Sequence, residues 1–270
     1  MIDVLIETLS HVICGIIIGF LIFYSGVGGG VLVIPVVIAF FDLTISVAIG
    51  TASAYTALTK AMAGVEHFRI NNINKRLCVI IGLSALPGAL LTAVVVNYFV
   101  TDAASAPVTQ EVLRYAVAVV IVLALAVAHF KPEKMVVSSL PLLLAAGFGI
   151  GLVMGGTGIG GGVLIAPALM LLSSETPKRI VGTSIIIALI LSTLTAIVYA
   201  SGGQVDYQMA IGMTVGSLLA IPLASKVLRR SSERSVQNTL TALICIALLL
   251  VVFGEQVNSA IKSARAMMIH

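Results

Sequence analysis

Ser25-Gly-Val-Gly-Gly-Gly-Val-Leu-Val-Ile-Pro35 returns later in the chain as Thr157-Gly-Ile-Gly-Gly-Gly-Val-Leu-Ile-Ala-Pro167. The copies lie 132 residues apart, Gly26 on Gly158, and the same offset carries Gly50-Thr51 onto Gly182-Thr183 without a gap. A repeat that holds register over this distance marks a duplicated unit. Each copy sets a glycine-rich break inside an apolar stretch, and paired breaks at corresponding positions of two halves are the sequence pointer to a ligand site in membrane transport folds.

The surrounding composition is that of a bilayer protein. Of 270 residues, 59% are hydrophobic and 10% are charged, with mean hydropathy +1.16, whereas soluble domains average about 25% charged. Tryptophan is absent, so the interfacial aromatic belt falls to residues such as Tyr98, Phe99, Tyr115 and Tyr207. The net charge of +4 does not point to nucleic acid, because the basic residues sit in short loops, where they report orientation. Cys14, Cys78 and Cys245 stand apart, without CxxC spacing or a His set to complete a metal site, and read as small apolar residues. No Lys or Arg precedes Lys60, so the first apolar segment lacks the positive region of a signal peptide and is expected to remain as a membrane helix.

Apolar segments run at roughly 4–23, 31–41, 44–65, 77–100 and 112–130, then again at roughly 138–156, 162–173, 179–201, 207–228 and 237–258. A span needs about 20 residues, so the second member of each set is too short to cross. The stretches 4–41 and 138–173 that contain these members are too long for one helix, which at about 1.5 Å per residue would exceed a core of about 30 Å. The charges then choose the path. Arg69, Lys75 and Arg76 mark one loop as cytoplasmic; Lys131 with Lys134, and Lys226, Arg229, Arg230 and Arg234, mark two more. The loops 101–111 and 201–206 carry no Lys or Arg. These marks make 138–173 a hairpin with both ends inside and its tip at 157–162, and make 4–41 a hairpin with both ends outside.

The expected fold is therefore an all-α integral membrane protein of two inverted repeats, each a re-entrant helical hairpin plus three transmembrane helices. The first repeat is 1–130, a cytoplasmic linker is 131–137 and the second repeat is 138–270, with both termini periplasmic. Counting each hairpin arm as a span gives five crossings per half, still odd and still inverted. Treating each hairpin as one kinked crossing would put Lys226 to Arg234 outside, against the charge rule.

A hairpin tip within a bilayer leaves backbone N–H and C=O groups unsatisfied, which is tolerated only when buried in protein or facing a watery cavity. The returning arms begin just after Gly28-Gly29-Gly30 and Gly160-Gly161-Gly162, and offer free N–H groups and the positive end of a helix dipole. Two such ends entering from opposite faces suit a small anion. Ser25, Thr157, Thr51 and Thr183 could add hydroxyls, with Ser53 and Ser184 as neighbours. For any single hydroxyl, packing or a bond to its own helix is the stronger reading. For consecutive glycines, ligand approach is the stronger one, since close helix packing calls for glycines four apart. The candidate substrate-binding set is Ser25, Gly26, Gly28, Gly29, Gly30, Thr51, Thr157, Gly158, Gly160, Gly161, Gly162 and Thr183.

Neither copy is a nucleotide loop: no Lys-Ser/Thr follows, and Val31 and Val163 stand where GxGxxG needs its last glycine. No Asp or Glu lies mid-span, which leaves a carboxylate proton relay or cation site without ligands. Lys60 is the basic residue well inside a span, and snorkelling to the interface is weighed ahead of lining an anion path. No catalytic residue, metal or cofactor is expected. An anion channel of the same architecture is the main alternative, and an integral-membrane enzyme a weaker one.

The doubled S/T-G-x-GGG-x-L-x-x-P signature at 25–35 and 157–167, with Gly-Thr at 50–51 and 182–183, resembles the sulfite exporter TauE/SafE family of membrane permeases. The resemblance implies a multi-pass secondary transporter in the bacterial inner membrane. Its implied substrates are sulfite, sulfonates such as sulfoacetate, and related anions, and two inverted halves would move them by alternating access. The expected partners are that small anion and the lipid bilayer, with oligomeric state open. The halves are not identical, since Tyr24 faces Gly156, Ser53 faces Ile185 and Asn74 faces Asp206 across the repeat.

Overall fold

The computed structural model describes residues 2–25, 28–69, 71–130, 139–228, 231 and 233–268. The expected linker 131–137 and candidate Gly26 lie outside these residues. Among the described residues every regular element is a helix: α1 (Ile2–Ser25), α2 (Gly29–Phe41), α3 (Ile45–Arg69), α4 (Lys75–Thr101), α5 (Ala106–Phe130), α6 (Leu140–Thr157), α7 (Ala166–Leu172) preceded by a π-helical turn (Gly161–Ile165), α8 (Pro177–Ser201), α9 (Tyr207–Leu228) and α10 (Glu233–Met268).

Local chemistry sets the boundaries. Asn74 caps α4 by accepting from the Leu77 N–H at 3.0 Å, and Asp206 opens α9 by accepting from the Met209 N–H at 2.8 Å. Asp42, left-handed at φ 57°, closes α2 and is held by Asn258 Nδ2. Among the described residues six helices (α1, α4, α5, α6, α8 and α9) are long and apolar enough to cross a membrane. The expected crossings at 44–65 and 237–258 fall in the long helices α3 and α10, the second of which carries the apolar stretch Thr241–Gly254.

The stretches expected to form hairpins each hold a long arm and a short one. Their first arms, α1 with 24 residues and α6 with 18, extend about 36 and 27 Å and qualify as spans rather than half-helices. The returning arms are short, 13 residues in α2 and 5 plus 7 in the π turn and α7. The long arms pack closely against other helices. α1 runs alongside α9 in the same direction, with Gly15 against the Met213 backbone and Gly19 against Ser217. α6 runs alongside α4, with Gly147 against Ser84 and the Ile81 carbonyl, and Gly151 against the Ala85 carbonyl. Glycines four apart let the helix backbones approach so closely that a side chain there would collide.

These contacts are reciprocal under the 132-residue offset. Gly15 becomes Gly147 as Met213 becomes Ile81; Gly19 becomes Gly151 as Ser217 becomes Ala85. Gly50 lies on the Gln204 carbonyl and Gly182 on that of Asn72, again both partners shifted by 132. In the centre α3 and α8 pack antiparallel, Gly50 by Tyr199, Gly64 by Ile186 and Gly182 by His67.

Hydrogen bonds sort the loops into two ends. Ser46 Oγ donates to Gln204 Oε1 and accepts from Gln110 Nε2, and Asn97 reaches Ser201, so the starts of α3 and α5 lie with the α8–α9 connection. Asn72 donates to the Lys178 carbonyl and Asn74 to Glu175 Oε1, so the α3–α4 connection, with Arg69, Lys75 and Arg76, lies with the start of α8.

Candidate functional site

The glycine motifs meet. α2 begins at Gly29 after an extended Gly28 that supplies no side-chain cap, so the glycines form its first turn instead of preceding it. A methyl group on Gly30 would stand 2.5 Å from the Gly158 carbonyl oxygen and 3.2 Å from Ile159 Cα, so the two tips touch backbone to backbone. On Gly29 it would stand 2.7 Å from Thr56 Oγ1 and 3.4 Å from the Tyr55 ring. Gly158 closes α6, its N–H donating to the Met154 carbonyl at 2.8 Å. Its φ of +66° is the left-handed conformation that glycine adopts without a steric penalty. A methyl there would lie 3.1 Å from Ser53 Oγ. Both tips therefore rest on residues 49–56 of α3.

That surface is fastened in place. Tyr55, 2% exposed, shares a 2.7 Å hydrogen bond with Ser217 Oγ, which donates in turn to the Gly15 carbonyl. Tyr199 on α8 donates to the Gly156 carbonyl at 3.2 Å and so steadies the end of α6.

The first N–H groups of a helix have no intrahelical acceptor, and with no side-chain cap on Gly28 the start of α2 presents donors and the positive end of a dipole. The second tip differs. There the Leu164 and Ile165 N–H groups both donate to the Gly160 carbonyl, at 2.9 and 3.1 Å, which winds Gly161 and Gly162 into a π turn.

The remaining candidates separate. Thr157 donates to the Val153 carbonyl at 2.7 Å and accepts from the Ile159 N–H at 3.3 Å, so its hydroxyl shapes the tip. The hydroxyls of Thr51 and Thr183 are engaged by other helices: Thr51 Oγ1 accepts from the Asp206 N–H at the start of α9 and Thr183 Oγ1 from the Asn74 N–H at the start of α4, each at 2.9 Å. Ser25 is the last residue of α1.

Two residues outside the candidate set stand at the tips. Ser53 and Thr56, 0% and 4% exposed, carry hydroxyl oxygens with no hydrogen-bond partner. Other buried helical hydroxyls find a partner, most within their own turn, as Thr195 does with Leu191, Thr214 with Ala210 and Ser184 with Val181. The sequence carried a signal for them. Ser53, Thr56 and Lys60 follow i, i+3, i+7, one stripe of a helix, which is visible once α3 is read as facing the glycines.

The fold is that of an all-helical, multi-pass membrane protein. The chain matches the sulfite exporter TauE/SafE family over residues 11–252 and belongs to it. It is 28% identical over 252 residues to the probable membrane transporter protein YjnA of Bacillus subtilis, an alignment covering 89% of this chain and 98% of the relative. It is 25% identical to the probable membrane transporter protein YdhB of the same organism, covering 88% and 96%. To the probable membrane transporter protein MJ0441 of Methanocaldococcus jannaschii it is 26% identical, covering 78% and 80%. No solved structure matches the chain. The family and these relatives make it a membrane transporter.

Proposed function

We propose that this transporter moves a small sulfur oxyanion or sulfonate, such as sulfite or sulfoacetate, across the bacterial inner membrane by alternating access between two inverted halves. The observation that carries the reading is the contact of Gly30 with Gly158, which brings the two glycine motifs together over buried hydroxyls. The reciprocal contacts of α1 with α9 and α6 with α4 support the inverted relation, since an exchange of i with j and of j with i is the mark of a two-fold. Arg69, Lys75 and Arg76 at the α3–α4 end make that end cytoplasmic.

The substrate is held at the tips by Gly28, Gly29 and Gly30 from one side, with Gly158, Gly160, Gly161 and Gly162 closing the other. Thr51, Thr157 and Thr183 act as braces that hold connections and tip in place. The test is flux of labelled sulfite and sulfoacetate into proteoliposomes. Saturable uptake with counterflow, abolished by Gly29→Leu and Gly161→Leu in inserted protein, is the expected result. Full activity in both variants would remove the site, and flux that never saturates would make the protein a channel.

A further inference from the structure

Ser53 and Thr56 depart from how membrane helices treat hydroxyls. In an apolar setting a Ser or Thr ordinarily donates back to a carbonyl three or four residues earlier, because an unpaired buried hydroxyl is costly. Thr59, three residues beyond Thr56, does so, reaching the Tyr55 and Thr56 carbonyls at 2.9 and 3.1 Å. Ser53 Oγ and Thr56 Oγ1 make no such bond. Each instead faces one of the two glycine motifs, Ser53 toward Gly158 and Thr56 toward Gly29. A methyl group would stand 2.7 Å from Thr56 Oγ1 at Gly29 and 3.1 Å from Ser53 Oγ at Gly158, so a side chain at either glycine would crowd these hydroxyls.

Several donors gather at this contact, beside the Gly158 carbonyl that meets Gly30. The uncapped start of α2 brings N–H groups, the two hydroxyls bring O–H groups, and no acidic residue occurs in α2 or in α3 between Ile45 and Val65. Lys60 stands one turn beyond Thr56 on the same stripe and is half-buried; helical side chains lean toward the N-terminus, here toward Thr56. The repeat breaks at this point. The offset places Ile185 and Ala188 of α8 where α3 has Ser53 and Thr56. The α8 residue that corresponds to Lys60 is Ser192, whose hydroxyl donates to the Leu189 carbonyl at 3.2 Å.

We infer that Ser53 and Thr56 are the specificity-determining residues that grip the oxyanion head of the substrate together with the Gly29 and Gly30 N–H groups, so that the head is read from the first half alone. The inference rests on the anion-transport reading above and names the groups that carry it. The α8 side contributes shape and closure, and the substrate's remaining atoms point toward it.

The experiment compares wild type with Ser53→Ala, Thr56→Val, Thr56→Ser and, as control, Ser192→Ala. It measures the KM for sulfite and sulfoacetate flux in proteoliposomes and the melting temperature of the ligand-free protein in detergent. Ser53→Ala and Thr56→Val should each raise KM on the order of tenfold or more, the factor carried by one hydrogen bond to a charged group. Their ligand-free melting temperatures should hold or rise, because the hydroxyl removed had no partner to abandon. Thr56→Ser keeps the hydroxyl and should keep the wild-type KM, as should Ser192→Ala. Unchanged KM in both Ser53→Ala and Thr56→Val, with wild type active, overturns this inference and leaves the transport reading standing. If wild type moves neither anion, the substrate class falls and this assignment falls with it.

Discussion

Replacing Thr51 and Thr183 with valine tests whether these residues brace the fold or touch substrate. Both are buried, at 0% and 1% exposure, and valine reproduces their shape without the hydroxyl. In Thr51→Val the Asp206 N–H loses its 2.9 Å acceptor; in Thr183→Val the Asn74 N–H loses an equal one. A partly buried N–H left without an acceptor costs about 1–3 kcal/mol. Asp206 and Asn74 also cap α9 and α4, so slackening of either residue extends to the first turn of a helix. The sites lie at opposite ends of the α3–α8 pair and share no partner, so the double variant should lose the sum of the two to within about 0.5 kcal/mol. Equilibrium unfolding in detergent reads the stability, and sulfoacetate binding measured on the same samples reads the site. The expected result is two similar single losses, an additive double loss and near-native affinity in the folded fraction. Wild-type stability in both variants, or affinity lost while stability holds, would refute the reasoning and return the two threonines to the ligand.

Two further substitutions probe the tip and the packing beneath it. Gly158→Ala places a side chain at φ +66°, a conformation that costs an L-residue about 1 kcal/mol, and sets a methyl 3.1 Å from Ser53 Oγ; detergent melting should show a modest loss and flux a larger one. Gly151→Leu drives a side chain into the Ala85 backbone, where the helices cannot part without breaking the α4–α6 seam, so loss of monodisperse protein in size-exclusion chromatography is expected, and normal yield would contradict that seam.

The helices were legible because most are apolar runs, several of them bounded by a capping residue such as Asn74 or Asp206. The segment read at 207–228 is α9 to the residue, and those at 4–23 and 77–100 each lie within two residues of α1 and α4 at either end. Longer errors came where a polar stretch continued a helix, as at α10, which runs from Glu233 to Met268. The segments read at 4–23 and 138–156 match α1 and α6 to within two residues, but hydropathy counts apolar length and does not see the glycine seams that set these helices against α9 and α4.

The site divides in the same way. That the two glycine motifs mattered followed from their repetition alone, since consecutive glycines within an apolar run serve neither helix stability nor ordinary helix packing. Which hydroxyls remain free could not follow from the chain. Thr51 finds its partner 155 residues away in Asp206, and Thr183 finds its own 109 residues away in Asn74, while Ser53 and Thr56 find none. The sequence by itself determined a bilayer protein of two related halves with a break in each, because hydrophobicity, charge placement and glycine spacing are properties of the local chain. Only the tertiary structure decided that the breaks meet over α3 and that its unpaired hydroxyls face them, because a hydrogen-bond partner is set by which distant helix packs alongside.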